Sequence, residues 1–175
     1  LNIPLAATNA IGSIIAIFVI DNLGRRYIML RTLPFIFTTL CLIALAMYLS
    51  LYSDDPKTIS DGHILFFVSI ILNLAFFSIG FSSTPWAVNS EIYPIHLVGT
   101  AVALATATNW LSNFVVASLF LSSMETDAGK VYTFLILAFF AVCAFIFIYF
   151  LLPETAGKKI SENIRNILGN KIDPK

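Results

Sequence analysis

Residues 80–113 read GFSSTPWAVNSEIYPIHLVGTAVALATATNWLSN, in which two long apolar segments meet at one short acidic connector, Glu91-Ile-Tyr-Pro94. Both segments carry Asn, Ser and Thr where a helix surrounded by lipid would carry apolar side chains. A polar group that faces hydrocarbon without a partner is costly, so these groups should face protein or a water-filled cavity. This stretch is therefore where we expect a solute to bind.

The composition of the chain is that of an integral membrane protein. Of the 175 residues, 58% are hydrophobic and 11% are charged, whereas an ordinary soluble domain carries about 25% charged residues. The net charge is zero and no basic patch is interleaved with aromatic residues, so we expect no nucleic-acid partner. No Cys/His cluster has zinc spacing and no glycine-rich phosphate loop occurs, so we expect no enzyme activity, metal or cofactor.

Five uncharged segments are each about as long as the roughly 20 residues that cross a bilayer as a helix. They are residues 3–20, 32–52, 64–90, 97–124 and 131–152. The predicted fold is all-α and membrane-embedded, with a bundle over residues 1–152 and a tail over 153–175. Pro85 lies inside the third segment and should kink or break that helix, which a membrane tolerates where the backbone lines a cavity or packs on protein.

The lysines and arginines predict how the chain is oriented. By the positive-inside rule, the side with more basic residues faces the cytoplasm. Lys57 and Lys130 lie on one side, and the other side holds eight basic residues: Arg25, Arg26, Arg31, Lys158, Lys159, Arg165, Lys171 and Lys175. We therefore expect a multi-pass protein, in the plasma membrane, with its N-terminus outside and its C-terminus in the cytoplasm.

The tail after residue 152 shows helical spacing of apolar residues, at Ile160, Ile164, Ile167 and Leu168. This spacing predicts a short amphipathic helix against the cytoplasmic face of the membrane. A frayed polar tail is the alternative.

The connector Asp21-Asn22-Leu23-Gly24-Arg25-Arg26 lies between two antiparallel segments, and Gly24 permits a tight turn there. Charge count alone favours a plain positive-inside anchor. Glu91 favours a second interpretation, because a carboxylate at the cytoplasmic end of a segment has little topological use and nearby arginines would stabilise it. Such paired charges could form a latch that holds in one conformation and parts in another.

Thr106, Asn109 and Asn113 fall at positions i, i+3 and i+7 and so share one face of the fourth segment, with Trp110 beside them. Such asparagines either bind a ligand or form hydrogen bonds between helices, and the spacing leaves both possibilities open.

Three further residues carry a similar ambiguity. Asn9 could bind a ligand or another helix, whereas for Asn73 we favour an interhelical hydrogen bond. Trp86 follows Pro85 and suits either a solute site or an interfacial anchor.

Four motifs together resemble the successive C-terminal-half motifs of the sugar porter family within the major facilitator superfamily. They are Asp21-x-x-Gly24-Arg25-Arg26, Pro85-Trp86-x-x-x-x-Glu91-Ile92-Tyr93-Pro94, Asn109-Trp110-x-x-Asn113 and Pro153-Glu154-Thr155-x-Gly157. The motifs occur in the family's order and cover essentially the whole chain. Residues 88–94, VNSEIYP, are most similar to the inositol-transporting branch.

The resemblance implies that the five segments correspond to helices eight to twelve of a twelve-helix carrier. It implies substrate contacts at Asn9, Trp86, Asn109, Trp110 and Asn113. It implies a cytoplasmic gate formed by Asp21, Gly24, Arg25, Arg26, Glu91 and Glu154. Val98, Asn22 and Ala156 depart from the residues that are usual in the family, and these departures weaken the expected gate.

The implied function is transport of a hexose or myo-inositol by alternating access, with this chain as a partial carrier in membrane lipid. The implied partner is a missing N-terminal half or a full-length carrier. The alternatives are a non-transporting sensor or regulatory partner, and an inactive fragment of such a carrier.

Overall fold

A single glycine separates the first two helices of the protein. The computed structural model describes residues 2–157, apart from the side chains of Asn2 and Asp21. The helices of this region are α1 (Asn2–Leu23), α2 (Arg25–Tyr52), α3 (Pro56–Phe81), α4 (Thr84–Glu91), α5 (Val98–Ser123) and α6 (Asp127–Leu151). With α3 and α4 counted as one span, five spans are long and apolar enough to cross a membrane. The predicted all-α membrane architecture is confirmed, while the predicted tail helix lies outside the described residues.

The helices extend further than the apolar segments predict. The prediction places a connector over residues 21–31, but α1 runs to Leu23 and α2 begins at Arg25. Gly24 has φ 91° and ψ 150°, a conformation essentially restricted to glycine, and it reverses the chain within one residue. Hydropathy marks the part of a helix that lies in hydrocarbon, whereas helical hydrogen bonding continues into the polar ends.

The start of α3 also precedes the predicted segment, because Asp55 caps the helix. Its carboxylate accepts hydrogen bonds from the backbone N–H groups of Lys57 and Thr58, and Pro56 occupies the first turn, where no N–H is needed. The Thr58 hydroxyl also donates to this carboxylate at 2.9 Å. These bonds favour the ionised form, with the Thr58 hydroxyl contributing most, and hold the pKa of Asp55 below its ordinary value.

The predicted break in the third span is present, but it precedes Pro85. Ser82 and Ser83 separate α3 from α4, and Pro85 lies in the first turn of α4. Proline is tolerated there because the first N–H groups of a helix have no intrahelical partner. The break therefore makes α4 a separate short helix after α3.

Helix α2 is the centre of the bundle and packs along α3 and α6. The buried apolar side chains of α2 form one core cluster with those of α6, which are Phe134, Ala138, Ala141 and Ile148. The buried residues of α3 are all small: Gly62, Ser69, Ser78 and Gly80. A Cβ added at Gly80 would lie 2.8 Å from Thr32 Cβ, so the backbones of α2 and α3 approach closely at this point.

Asn73 stabilises this pair of helices. Its Nδ2 donates to Thr39 Oγ1 at 2.9 Å and to the backbone carbonyl of Ile36 at 3.4 Å. Both acceptors belong to α2, so the interhelical hydrogen bond predicted for Asn73 is confirmed.

Helix α5 lies at the edge of the bundle, where it contacts α4 and α6. Within its residues 98–123 no side chain is buried. The helix therefore presents most of its surface, including its asparagines, away from the core.

Candidate functional site

An open cleft of about 560 Å³ lies between α1, α3, α4 and α5. Small-molecule sites usually measure about 300–1,000 Å³. Its lining residues are Asn9, Phe77, Phe81, Ser82, Pro85, Trp86, Asn89, Ala105, Asn109 and Asn113. Four of the five predicted substrate contacts therefore line one cavity: Asn9, Trp86, Asn109 and Asn113.

The helix break and the helical repeat place these side chains together. Asn109 and Asn113 are four residues apart, which puts them on one face of α5. Trp86 follows the break by one turn of α4, and its side chain is 44% exposed at the cleft. The aromatic rings of Phe77 and Phe81 stack in α3 at a centroid distance of 5.9 Å and form an apolar wall.

Two of the cleft asparagines are partly engaged by the protein. Asn9 Oδ1 accepts a 2.7 Å hydrogen bond from Oγ of the fully buried Ser78, which leaves the amide N–H groups of Asn9 for a ligand. Asn113 Nδ2 donates to the backbone carbonyl of Asn109 at 3.0 Å, which leaves Asn113 Oδ1 as an acceptor. The cleft therefore offers donors from α1 and an acceptor from α5.

The side chains of Asn89 and Asn109 make no hydrogen bond within residues 2–157, and each carboxamide offers both a donor and an acceptor. No charged side chain is among the described residues that line the cleft. An uncharged lining of carboxamides, one indole and two phenyl rings suits a neutral ligand with several hydroxyl groups.

Trp110 is the predicted contact that the structure places elsewhere. Its side chain is 69% exposed and does not line the cleft, because consecutive residues of a helix point about 100° apart and its neighbour Asn109 faces the cleft. Asn89, which is not among the substrate contacts that the motifs imply, lines the cleft instead. Its spacing of three residues from Trp86 was the signal that could have identified it.

A second polar cluster, the Arg25 cluster, is formed by Arg25, Glu91 and Glu154 and joins α2 to α4 and to the segment after α6. Arg25 Nη2 and Glu91 Oε1 form an ion pair at 3.1 Å, with side-chain exposures of 14% and 26%. Glu91 was expected to pair with Arg25 or Arg26, and the structure pairs it with Arg25. The guanidinium of Arg26 turns to α6, where Nη2 donates to the Tyr149 carbonyl at 2.6 Å.

Glu154 contacts main-chain groups at the start of α2. Its carboxylate accepts hydrogen bonds from the backbone N–H groups of Arg25 at 2.9 Å, Arg26 at 3.1 Å and Tyr27 at 3.3 Å. It also accepts one from Ala156 N–H at 3.1 Å. Glu154 therefore caps α2 at the helix end where a negative charge is favourable.

Gly24 makes room for this carboxylate, since a Cβ added at that residue would lie 2.7 Å from Glu154 Oε2. The side chain of Asp21, which was also expected in the gate, lies outside the described part of the structure. Among the side chains that the structure describes, no three His, Cys, Asp or Glu residues converge as metal ligands.

Comparison with known proteins supplies a family. The family model described as "Sugar (and other) transporter" matches residues 1–166. Myo-inositol transporter 1 of Saccharomyces cerevisiae is 34% identical over 170 residues, which cover 92% of this chain and 28% of that protein. The proton myo-inositol cotransporter hmit-1.2 of Caenorhabditis elegans is 45% identical over 86 residues, which cover 49% of this chain and 14% of that protein.

A solved structure agrees in fold. A double-tryptophan mutant of XylE superposes with a TM-score of 0.74 at 22% identity, over 94% of this chain and 34% of that one. The chain thus spans less than a third of the length of the curated relatives named above. The chain has five spans that are long and apolar enough to cross a membrane, and the family model matches almost all of its length. It therefore belongs to the sugar transporter family of the major facilitator superfamily, whose members are carriers and not enzymes.

Proposed function

We propose that this chain is the C-terminal part of a carrier that binds a sugar or polyol in the cleft and moves it by alternating access. The observation that carries the proposal is the uncharged, asparagine-lined cleft within a membrane bundle. Relatives that are named as myo-inositol transporters support a cyclic polyol or a hexose as the substrate.

The open side of the cleft supports a partial carrier. A hydroxylated solute needs converging partners on several sides, and pockets usually bury about 70–90% of a ligand's surface. Helix α5 lines the cleft, yet residues 98–123 contain no buried side chain. A second half of the carrier, docked against α5 and α1, would close the cleft and cover this surface.

The proposed orientation puts the Arg25 cluster at the cytoplasmic side, with the N-terminus outside, and follows from the distribution of basic residues. In this orientation we propose that the ion pair between Arg25 and Glu91 forms the inner gate, since Glu91 ends the same short helix that presents Trp86 to the cleft. The plasma membrane is the proposed location.

Uptake of radiolabelled myo-inositol and D-glucose into liposomes tests the proposed function. The complete carrier that contains this chain should show saturable uptake, and the 175-residue chain alone should show none. Asn109→Ala in the complete carrier should lower uptake efficiency about tenfold, the effect of losing one or two hydrogen bonds to the substrate.

Ser118→Ala is the matched control for this variant, because Ser118 is exposed on α5 and its hydroxyl donates to the Phe114 carbonyl of its own helix. Saturable, stereoselective uptake by the 175-residue chain would contradict the partial-carrier proposal. Uptake that is equal in Asn109→Ala and Ser118→Ala would contradict the proposed site.

Glu91→Gln in the complete carrier tests the proposed gate. The amide keeps a hydrogen-bond acceptor but loses the charge, so the inward-closed state should lose about 1 kcal/mol relative to the inward-open state. This loss corresponds to about a fivefold higher inward-open population. The measurement is the rate at which Ala105→Cys, in the cleft lining, reacts with a thiol reagent supplied from the inner side.

Glu125→Gln supplies the control, since Glu125 is exposed at the opposite end of the bundle, after α5. An unchanged labelling rate in Glu91→Gln would favour the plain positive-inside anchor over a gate.

A further inference from the structure

Asn89 lines the cleft but is not among the substrate contacts that the family resemblance implies. It lies on α4, three residues after Trp86, so both side chains occupy the same face of this eight-residue helix. Asn89 is half-buried, and its carboxamide makes no hydrogen bond with residues 2–157. A partly desolvated carboxamide with neither its donor nor its acceptor engaged is available to a ligand.

The surrounding residues give Asn89 a distinct hydrogen-bonding capacity. Asn9 has its acceptor engaged by Ser78, and Asn113 has a donor engaged by a carbonyl of α5. Asn89 presents its donor and its acceptor side by side, on the same face of α4 as the Trp86 indole. An aromatic face in this position can pack against the C–H face of a ligand ring, while the amide of Asn89 forms hydrogen bonds with the hydroxyls at the edge of that ring.

Two adjacent hydroxyls on a ring match a carboxamide, because one hydroxyl can donate to the amide oxygen while the other accepts from the amide N–H. The edge of a pyranose that carries the ring oxygen fits in one orientation only, because an ether oxygen accepts a hydrogen bond but cannot donate one, whereas two adjacent hydroxyls fit in either orientation. A cyclic polyol with contiguous hydroxyls offers the match at every edge.

We propose that Asn89 is a specificity-determining residue that pairs with two neighbouring hydroxyls of a ring polyol and makes those hydroxyls a requirement for binding. The inference rests on the proposed function and narrows its substrate class to rings with contiguous hydroxyls. A site that pairs with a hydroxyl discriminates against the analogue that lacks it, because the site's own polar group is then left unpaired.

The test measures inhibition of labelled myo-inositol uptake by unlabelled myo-inositol and by each of its monodeoxy analogues, in the complete carrier. The wild type should bind at least one monodeoxy analogue about tenfold more weakly than myo-inositol, the effect of one lost hydrogen bond that leaves its partner unpaired. In Asn89→Ala the ratio of the affinity for myo-inositol to that for this analogue should fall below about twofold, because the carboxamide that binds the hydroxyl is gone.

Ser90→Ala is the matched control, since Ser90 is the exposed neighbour of Asn89 and its hydroxyl donates to the Ala87 carbonyl of α4. Ser90→Ala should keep the wild-type ratio, and this result would distinguish the loss of a hydrogen bond to the ligand from a general disturbance of α4. If Asn89→Ala does not reach the membrane, Asn89→Ser replaces it and should likewise reduce the ratio, because the shorter serine side chain holds its hydroxyl farther from the ligand groups.

Wild-type uptake with the same deoxy-analogue ratios in both Asn89 variants would overturn the assignment of Asn89 and leave the proposed function standing. Absence of saturable uptake by the wild-type carrier would overturn the proposed function itself.

Discussion

Gly24→Ala is expected to lower the free energy of unfolding by about 3 kcal/mol, the largest effect of any substitution considered for this chain. Gly24 has φ 91° and ψ 150°, and side chains other than that of glycine are strained in this conformation. The added Cβ would also lie 2.8 Å from Glu154 Cδ, within van der Waals overlap. The carboxylate would have to move away from the amide groups that it caps.

Substitutions at two other glycines distinguish the strain of the backbone conformation from the overlap with Glu154. Gly157 has φ 69° but nothing within 4 Å of an added Cβ, so Gly157→Ala should cost about 1 kcal/mol, the backbone term alone. Gly99 is the second residue of α5, and a Cβ added there would also meet open space. Gly99→Ala should therefore leave the free energy of unfolding unchanged or raise it by up to about 1 kcal/mol.

The measurement is unfolding of the purified protein in detergent, followed by circular dichroism against temperature or denaturant. A loss in Gly24→Ala no larger than that in Gly157→Ala would show that the approach of Glu154 adds nothing. A stability equal to that of Gly99→Ala would contradict the glycine-specific turn itself.

Glu154→Ala is expected to lower the free energy of unfolding by about 2–3 kcal/mol, because a charged acceptor of several backbone N–H groups is lost. Three of these groups belong to the first turn of α2 and have no intrahelical acceptor. The negative charge also interacts favourably with this end of the helix. Glu154→Gln keeps one acceptor oxygen and should lose about half as much.

Glu125→Ala serves as the control, since this exposed glutamate caps no helix among the described residues. Thermal unfolding in detergent measures all three variants. The double variant Gly24→Ala/Glu154→Ala should be more stable than the sum of the single losses predicts, because removing the carboxylate also removes the overlap. Glu154→Ala with wild-type stability would show that the carboxylate does not hold α2.

Gly24→Ala and Glu154→Ala should both disturb the Arg25 cluster. Glu154 binds the backbone of Arg25, and Glu91 binds its guanidinium. The segment after α6 and the end of α4 therefore both act on one residue at the start of α2. Loss of the Glu154 cap should loosen the position from which Arg25 reaches Glu91.

The amino-acid sequence by itself determined the membrane class, the five spans and the break near Pro85. Each of these follows from a one-dimensional property: the length of an apolar run in lipid, or the missing N–H of a proline. The spacing of Asn109 and Asn113 likewise placed both on one helix face. The ends of the helices were predicted less well, because Arg25 and Pro56 begin helices outside the apolar segments.

Only the tertiary structure decided which polar residues share a cavity. Trp110, which was expected to contact substrate, does not line the cleft, and Asn89, for which no place was expected, does. The rotation of α4 and α5 about their axes depends on packing against neighbouring helices and not on residue spacing. The same holds for Glu154, which was expected in a network of charged side chains and which the structure shows capping the backbone of α2. Backbone amides carry no sequence signal, so a contact between a carboxylate and a helix start 129 residues earlier becomes visible only when the two are folded together.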